Sequence, residues 1–159
     1  MPAMNTTLWD NVSVWCGIAG WIAAQVLKLF TFMRREGKFD FAFLFRLGGM
    51  PSSHTAACAA AATSVGLRDG FGSTTFTVIL GLLCLIMVDA QSVRRAAGIQ
   101  ARLLNKMADE FYQNRRVTHE HLVEFLGHTR LEVGAGLLLG ILIALAVHFL
   151  LLPALFPPA

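Results

Sequence analysis

The chain has 159 residues, of which 55% are hydrophobic and only 14% carry a formal charge, and its mean hydropathy is +0.59. A soluble domain is usually about 45–50% apolar and about 25% charged, so this composition argues against a water-soluble protein and for a bilayer protein. The length fits one domain, residues 1–159. Basic residues exceed acidic ones by only three, and membrane topology explains them better than a nucleic-acid groove, so no nucleic-acid partner is expected.

Four apolar runs predict an all-α integral membrane bundle of about four transmembrane helices. Residues 12–33 and 131–152 are long runs, and at about 1.5 Å per helical residue each can cross a hydrocarbon core of about 30 Å. Residues 54–67 and 74–89 are shorter and are separated by the turn-like RDGFGS. The Ala, Ser and Thr content of 54–67 suits close packing inside a bundle. A soluble helical hairpin is the alternative for these two middle runs.

Two further segments have patterns unlike those of the spans. Phe39 to Leu47 is apolar but short and precedes two glycines, which favours an interfacial or re-entrant segment over a fifth span. Ser92 to Tyr112 alternates apolar and basic residues with helical spacing, which predicts an amphipathic helix that lies on a membrane surface or folds against the bundle. With the polar connection after it, residues 92–126 form a predicted amphipathic insertion.

The distribution of charge predicts the orientation in the membrane. With four spans, the ends of the first and third helices and the starts of the second and fourth share one side, and only Arg68 falls on the other side. Positive residues mark the cytoplasmic face, so we expect a multi-pass plasma (inner) membrane protein with this side in the cytoplasm. The basic residues on that side are Arg34, Arg35, Lys38, Arg46, Arg94, Arg95, Arg102, Lys106, Arg115, Arg116 and Arg130.

The same topology brings the polar motifs of the spans to one end of the bundle, where an ionisable group is a functional hypothesis by default. PSSH at 51–54 resembles a helix start, whose free N–H groups can bind an anion, and plain capping is the alternative. His54 could donate a proton to a leaving oxygen near neutral pH. Lys28, near the end of the first span, could bind the same anion or simply snorkel to the interface.

His128 and Glu132 stand four residues apart, on one face of the predicted fourth helix. A carboxylate bonded to one ring nitrogen fixes the tautomer and leaves the other nitrogen as a nucleophile. The structural alternative is a salt bridge at the membrane boundary, or pairing of Glu132 with Arg130. Arg94 and Arg95 could hold phosphate oxygens by forked bonds or anchor the chain to anionic headgroups.

The remaining candidates give no metal or redox centre. The three cysteines are far apart in apolar stretches, and the acidic residues and histidines are sparse, so we expect neither a disulfide framework nor a metal ion. We also expect no cofactor. His119, His121 and His148 are interpreted as bystanders.

Three motifs carry a resemblance to a known family. They are GGMPSSH at 48–54, DAQSVRRAAG at 89–98 and GHTRLEVGAG at 127–136. The chain resembles the type 2 phosphatidic acid phosphatase superfamily, which also contains the vanadium-dependent haloperoxidases, and more closely its divergent branch of small membrane proteins. The motifs bracket most of the chain.

The resemblance implies a role for each matching residue. His128 would form a phosphohistidine, His54 would protonate the leaving alkoxide and Glu132 would orient His128. Arg94 or Arg95 would match the arginine of the superfamily's S-R element, and Arg34 and Lys38 are alternatives to Arg35 in its K-x6-R element. The implied phosphate-binding set is Lys28, Arg35, Ser52, Ser53, Arg94 and Arg95.

The sequence also departs from the superfamily pattern. Glu36 stands where the first motif has proline, and Ser53 replaces the glycine of P-S-G-H. More than thirty residues separate the arginine pair from His128, where the superfamily has a few. We therefore expect a metal-independent phosphatase acting on a lipid-linked phosphate monoester or pyrophosphate, with a non-catalytic lipid-phosphate binder or carrier as the alternative. A haloperoxidase that holds vanadate is less favoured because of the membrane setting, and the sequence is compatible with a homo-oligomer.

Overall fold

The structure, a computed structural model, describes residues 7–36, 49–112 and 127–155, and these residues are all helical apart from turns. The predicted interfacial segment at 39–47 and the polar connection that begins at 113 lie outside the described residues. Beyond the main helices, a 3-10 turn covers Leu8–Asp10, and α5 continues through a π-helical turn, Val147–Leu151, into α6 (Leu152–Leu155). The main helices are α1 (Val12–Glu36), α2 (Ser53–Asp69), α3 (Thr74–Gln91), α4 (Val93–Tyr112) and α5 (Arg130–Ala146).

Helix α2 is the centre of the bundle and packs against α1, α3 and α5. Its many alanines let the neighbouring backbones approach closely, and glycines on α1 and α5 face them. A Cβ atom added at Gly20 would lie 2.8 Å from the Ala56 carbonyl oxygen, and one added at Gly140 would lie 2.7 Å from the Ala59 Cβ. Such small-residue contacts are how helices associate where no hydrophobic driving force acts between them.

The outward faces of the other helices are apolar. Val26 is 59% exposed on α1, Leu85 is 69% exposed on α3 and Leu138 is 60% exposed on α5. The core, by contrast, contains small residues such as Cys16, Ala60 and Ala144, all at 0% exposure. Large side chains outside and small ones inside suit a bundle whose surroundings are hydrocarbon.

Within the described part of the chain, three helical segments are long and apolar enough to cross a membrane: Val12–Arg34, Thr74–Asp109 and Arg130–Ala154. Four spans were predicted, and α2 is the predicted span that is not among these three. It has only 17 residues, whereas a span usually needs about 20 apolar residues. Because α1 and α5 cover it, α2 carries alanines where a lipid-facing helix carries leucines, and a fourth span stays a prediction.

A polar network connects α1, α2 and the π-helical turn inside the bundle. The Ser64 hydroxyl lies 2.9 Å from the Ser13 hydroxyl and 2.9 Å from the Nε2 atom of His148. Ser64 is fully buried and Ser13 is 7% exposed. His148, a bystander in the sequence interpretation, is therefore a partner in holding three chain segments together.

Candidate active site

Backbone hydrogen bonds bring three helix ends together. The Ser52 N–H, just before α2, donates to the Glu132 carbonyl oxygen at 3.0 Å, and the His128 N–H donates to the Ala90 carbonyl oxygen near the end of α3 at 2.9 Å. The start of α2, the end of α3 and the start of α5 therefore meet at one end of the bundle.

Helix α1 brings Lys28 to the same end. This side chain is only 3% exposed, and its charge interacts with that of Glu132. The chain before α2 packs on its aliphatic stem: a Cβ added at Gly49 would lie 3.4 Å from the Lys28 Cγ and Cδ atoms. Gly49 also has φ +92°, a left-handed conformation that glycine adopts without a steric penalty.

The start of α5 fixes the geometry of His128 and Glu132. The Nδ1 atom of His128 lies 3.2 Å from Oε2 of Glu132, and the two side chains are 10% and 21% exposed. The same Oε2 atom accepts a hydrogen bond from the Thr129 N–H at 2.8 Å. The Thr129 hydroxyl in turn accepts from the Glu132 N–H, which completes a capping box. Glu132 therefore holds the helix start and the imidazole with one carboxylate.

The capping box accounts for the length of the side chain at position 132. His128 precedes the N-cap residue Thr129, so the carboxylate must fold back over the helix start to reach it. A glutamate at the third helical position has the length for this, as in other capping boxes. With the Nδ1 proton held by Glu132, the free lone pair of His128 is on Nε2.

A cavity of about 280 Å³ opens beside His128, where α3 gives way to α4. Its lining is mostly polar and brings two guanidinium groups to the imidazole. Cations beside a histidine favour an anion such as phosphate, whose oxygens arginine can bind by paired hydrogen bonds. The lining residues are Val88, Gln91, Ser92, Arg95, His128 and Arg130.

None of the other predicted site residues that the structure describes lines this cavity. Ser52 and Ser53 are 0% and 4% exposed, and the Ser52 hydroxyl accepts a hydrogen bond from the Thr55 hydroxyl at 3.0 Å. His54, on the first turn of α2, is exposed and is not among the lining residues. The guanidinium of Arg34 lies 5.5 Å from the centroid of the Phe30 ring. The side chains of Arg35 and Arg94 lie outside the described part of the structure.

Sequence reasoning missed part of the cavity. Arg130 was considered only as a topology marker and a partner for Glu132, and Gln91 and Ser92 were not considered. The capping box was also missed, although T-R-L-E is the S/T-x-x-E signature of a helix start. Gln91 and Ser92 carry no such signal, because only the junction of α3 with α4 turns them toward His128.

Among the described residues, no group of three or more His, Cys, Asp or Glu side chains could hold a metal ion. The groups that the structure places at the cavity are a histidine, its carboxylate partner and two arginines. Such a set can bind a phosphate and attack it with a nitrogen nucleophile.

Comparison with known proteins places the chain in a family. The sequence pattern of the divergent PAP2 family matches residues 9–143, which is most of the chain. The chain belongs to the divergent PAP2 family. It is 36% identical to YuiD, an uncharacterized membrane protein of Bacillus subtilis (strain 168), over 89% of this chain and 97% of YuiD. No solved structure matches the chain. This divergent PAP2 protein is a membrane protein, and its fold is all-α.

Proposed function

We propose that this divergent PAP2 protein hydrolyses a lipid-linked phosphate monoester or pyrophosphate through a phosphohistidine on His128. The observation that carries the proposal is that His128, which contacts Glu132, lines a cavity together with Arg95 and Arg130. A phosphoryl transition state spreads negative charge over three oxygens, and its catalysis is largely positioning plus electrostatic stabilisation. An oriented imidazole and fixed cations supply both.

The reaction has two displacements. In the first, Nε2 of His128 attacks the terminal phosphorus, the bond from this phosphorus to the bridging oxygen breaks, and His54 protonates that oxygen. The leaving group is the lipid alcohol from a monoester or the lipid monophosphate from a pyrophosphate. In the second, water attacks the phosphohistidine and returns one proton to His54, which releases inorganic phosphate and restores both imidazoles. Glu132 stabilises the positive charge that the ring carries as a phosphohistidine.

The proposed role of His54 requires a substrate that reaches from His128 to the first turn of α2. It lies two residues after Ser52, whose N–H is bonded to Glu132, so the two histidines share one end of the bundle. It is exposed and stands outside the cavity lining. A lipid substrate would therefore extend from His128 in the cavity toward the first turn of α2.

Membrane topology supports a lipid substrate on the cytoplasmic side. If α2 crosses the membrane as a fourth span, the cavity lies on the side that collects the basic residues, which is the cytoplasmic side of an inner membrane. A lipid headgroup can enter there while its acyl chains stay in the bilayer. Candidate substrates are phosphatidate, phosphatidylglycerol phosphate and polyprenyl pyrophosphate.

A phosphate-release screen across these lipids tests the proposal. The purified protein in detergent should release phosphate from at least one of them in the presence of a chelator, and His128→Ala should abolish the release. Arg102→Ala is the matched control, because Arg102 is an exposed cation outside the cavity lining. Release that survives His128→Ala would remove the mechanism.

A second measurement tests whether His54 is the general acid. If His54 protonates the leaving oxygen, His54→Ala should slow release from an alkyl lipid phosphate but leave an aryl phosphate nearly unaffected, since a phenolate needs no proton to leave. His128→Ala should stop both reactions. Equal losses on both substrates with His54→Ala would show that His54 has another role.

The second candidate function is a non-catalytic lipid-phosphate binder or carrier. The observation that favours it is that His54 stands outside the lining of the cavity that holds His128. This function predicts tight binding of a lipid phosphate, no release of phosphate, and weaker binding after Arg94→Ala or Arg95→Ala.

A further inference from the structure

Helix α4 turns its large apolar side chains outward and its small and polar ones inward. Ala101 and Asn105 are only 8% and 4% exposed. A helix packed against a protein in water does the reverse and buries its apolar stripe. The medium against the outer face of α4 is therefore apolar. The side chains that are more than half exposed are Val93, Ile99, Leu103, Leu104 and Met107.

These apolar residues form one continuous arc. At 3.6 residues per turn, Val93, Leu104 and Met107 point within about 60° of one another, and Leu103 and Ile99 extend the arc on one side. The next band around the helix carries cations, and all three of its members are exposed. They are Arg95, Arg102 and Lys106.

The length of the α3–α4 unit excludes a straight path through the bilayer. The run from Thr74 to Asp109 has 36 residues, which corresponds to about 54 Å of helix, against a hydrocarbon core of about 30 Å. The helices meet at Ser92, whose hydroxyl donates to the Val88 carbonyl oxygen at 2.6 Å. Back-bonding of this kind bends helices. Helix α4 therefore begins where α3 has already crossed the hydrocarbon.

We propose that α4 lies in the plane of the membrane interface, with its apolar arc among acyl chains and its basic band at anionic lipid headgroups. The charge of the helix fits this partner, because its first fourteen residues contain four basic residues and no acid. Its acids, Asp109 and Glu110, both fall in the last turn. Helices with an apolar face and a basic polar face bind anionic bilayers in this way.

This placement connects the bilayer to the candidate active site. Arg95 belongs to the basic band of α4 and also lines the cavity beside His128. The depth of α4 in the interface would therefore set the height of the cavity relative to the headgroups. The inference goes beyond the proposed function because it requires no catalysis, so it can fail or succeed independently.

Nitroxide labels on the two faces of α4 test the placement in the intact chain. Leu104→Cys places a label on the apolar arc, and Arg102→Cys places one on the basic band. Both are made in a Cys84→Ala background, because Cys84 is exposed whereas Cys16 is buried. Cys84→Ala alone measures background labelling. Accessibility to oxygen and to a water-soluble nickel complex is measured by electron paramagnetic resonance in nanodiscs.

The label at position 104 should show an oxygen-to-nickel accessibility ratio several-fold above that at position 102. The ratio should rise further when phosphatidylglycerol is added to phosphatidylcholine, and Lys106→Gln should reduce that rise. Similar nickel accessibility at both positions would place α4 in water and overturn the proposal. A label at 104 shielded from both reagents would show a protein contact, such as a second copy of the chain, and would also overturn it.

Discussion

The shared use of one carboxylate by a helix cap and an imidazole gives a sharp prediction for Glu132→Gln. The Oε2 atom of Glu132 accepts from the Thr129 N–H at 2.8 Å and lies 3.2 Å from Nδ1 of His128. Glutamine also closes capping boxes, so the free energy of unfolding should fall by less than about 1 kcal/mol, which is a fraction of the cost of losing a cap. The negative charge beside the imidazole is lost in full.

The expected loss of rate follows from the strength of that charged hydrogen bond. A hydrogen bond to a charged group contributes about 1.5–3 kcal/mol, and each 1.36 kcal/mol corresponds to about a tenfold rate change. Glu132→Gln should therefore lower kcat for phosphate release by about 10- to 150-fold while the melting temperature stays close to that of the parent. The assay is phosphate release from the best lipid substrate, with thermal unfolding measured on the same detergent preparation.

Thr129→Ala is the matched control, since it removes the other half of the capping box and leaves the His128–Glu132 contact in place. It should cost about 0.5–2 kcal/mol of stability, with kcat within about threefold of the parent. If Glu132→Gln keeps full activity, the carboxylate is only a helix cap and its proposed role in catalysis is wrong.

Three further predictions concern packing, the buried network and the cavity. Gly140→Ala should destabilise the bundle by about 1–3 kcal/mol through overpacking against α2, whereas Gly134→Ala, where a Cβ meets nothing within 4 Å, should be neutral or stabilising in thermal unfolding. Ser64→Ala should cost about 1–3 kcal/mol because buried Ser13 and half-buried His148 each lose a hydrogen bond. Phosphate release at a temperature where the variant is folded should be unchanged. Arg95→Ala should weaken binding of a lipid phosphate in detergent, where no bilayer surface contributes, at least tenfold, while Arg102→Ala should change it less than threefold, since Arg95 lines the cavity and Arg102 does not. Equal effects would contradict the assignment of the cavity.

The helical segments could be predicted because hydropathy and turn residues mark them directly. The apolar run predicted at 12–33 is covered by α1 (Val12–Glu36), and the run predicted at 74–89 by α3 (Thr74–Gln91). The central position of α2 was indicated by its alanines. Hydropathy does not decide whether α2 crosses the membrane, because a helix covered by other helices does not need the high hydropathy of a lipid-facing helix.

The site was partly predictable for a similar reason. The spacing of His128 and Glu132 indicated their contact, which is local, but their predicted place on one helical face was wrong for His128, because this residue lies before the N-cap of α5. The cavity depends on the junction of α3 and α4, where Ser92 meets the start of α5, and such tertiary junctions leave no periodic pattern in a sequence. For this reason Arg130 was predicted only as a topology marker and a partner for Glu132, and the position of His54 outside the cavity lining was not foreseen.

The most direct test of the central claim is to trap the phosphoryl group on the protein. The protein is mixed with the lipid phosphate that it hydrolyses, quenched in alkali and digested, and its peptides are analysed by mass spectrometry, with His128→Ala treated in parallel. The account predicts one phosphoryl group on His128 in the parent protein and none in the variant. Phosphate release with no phosphoryl group on His128, or with the group on a serine of the PSSH segment, would contradict it.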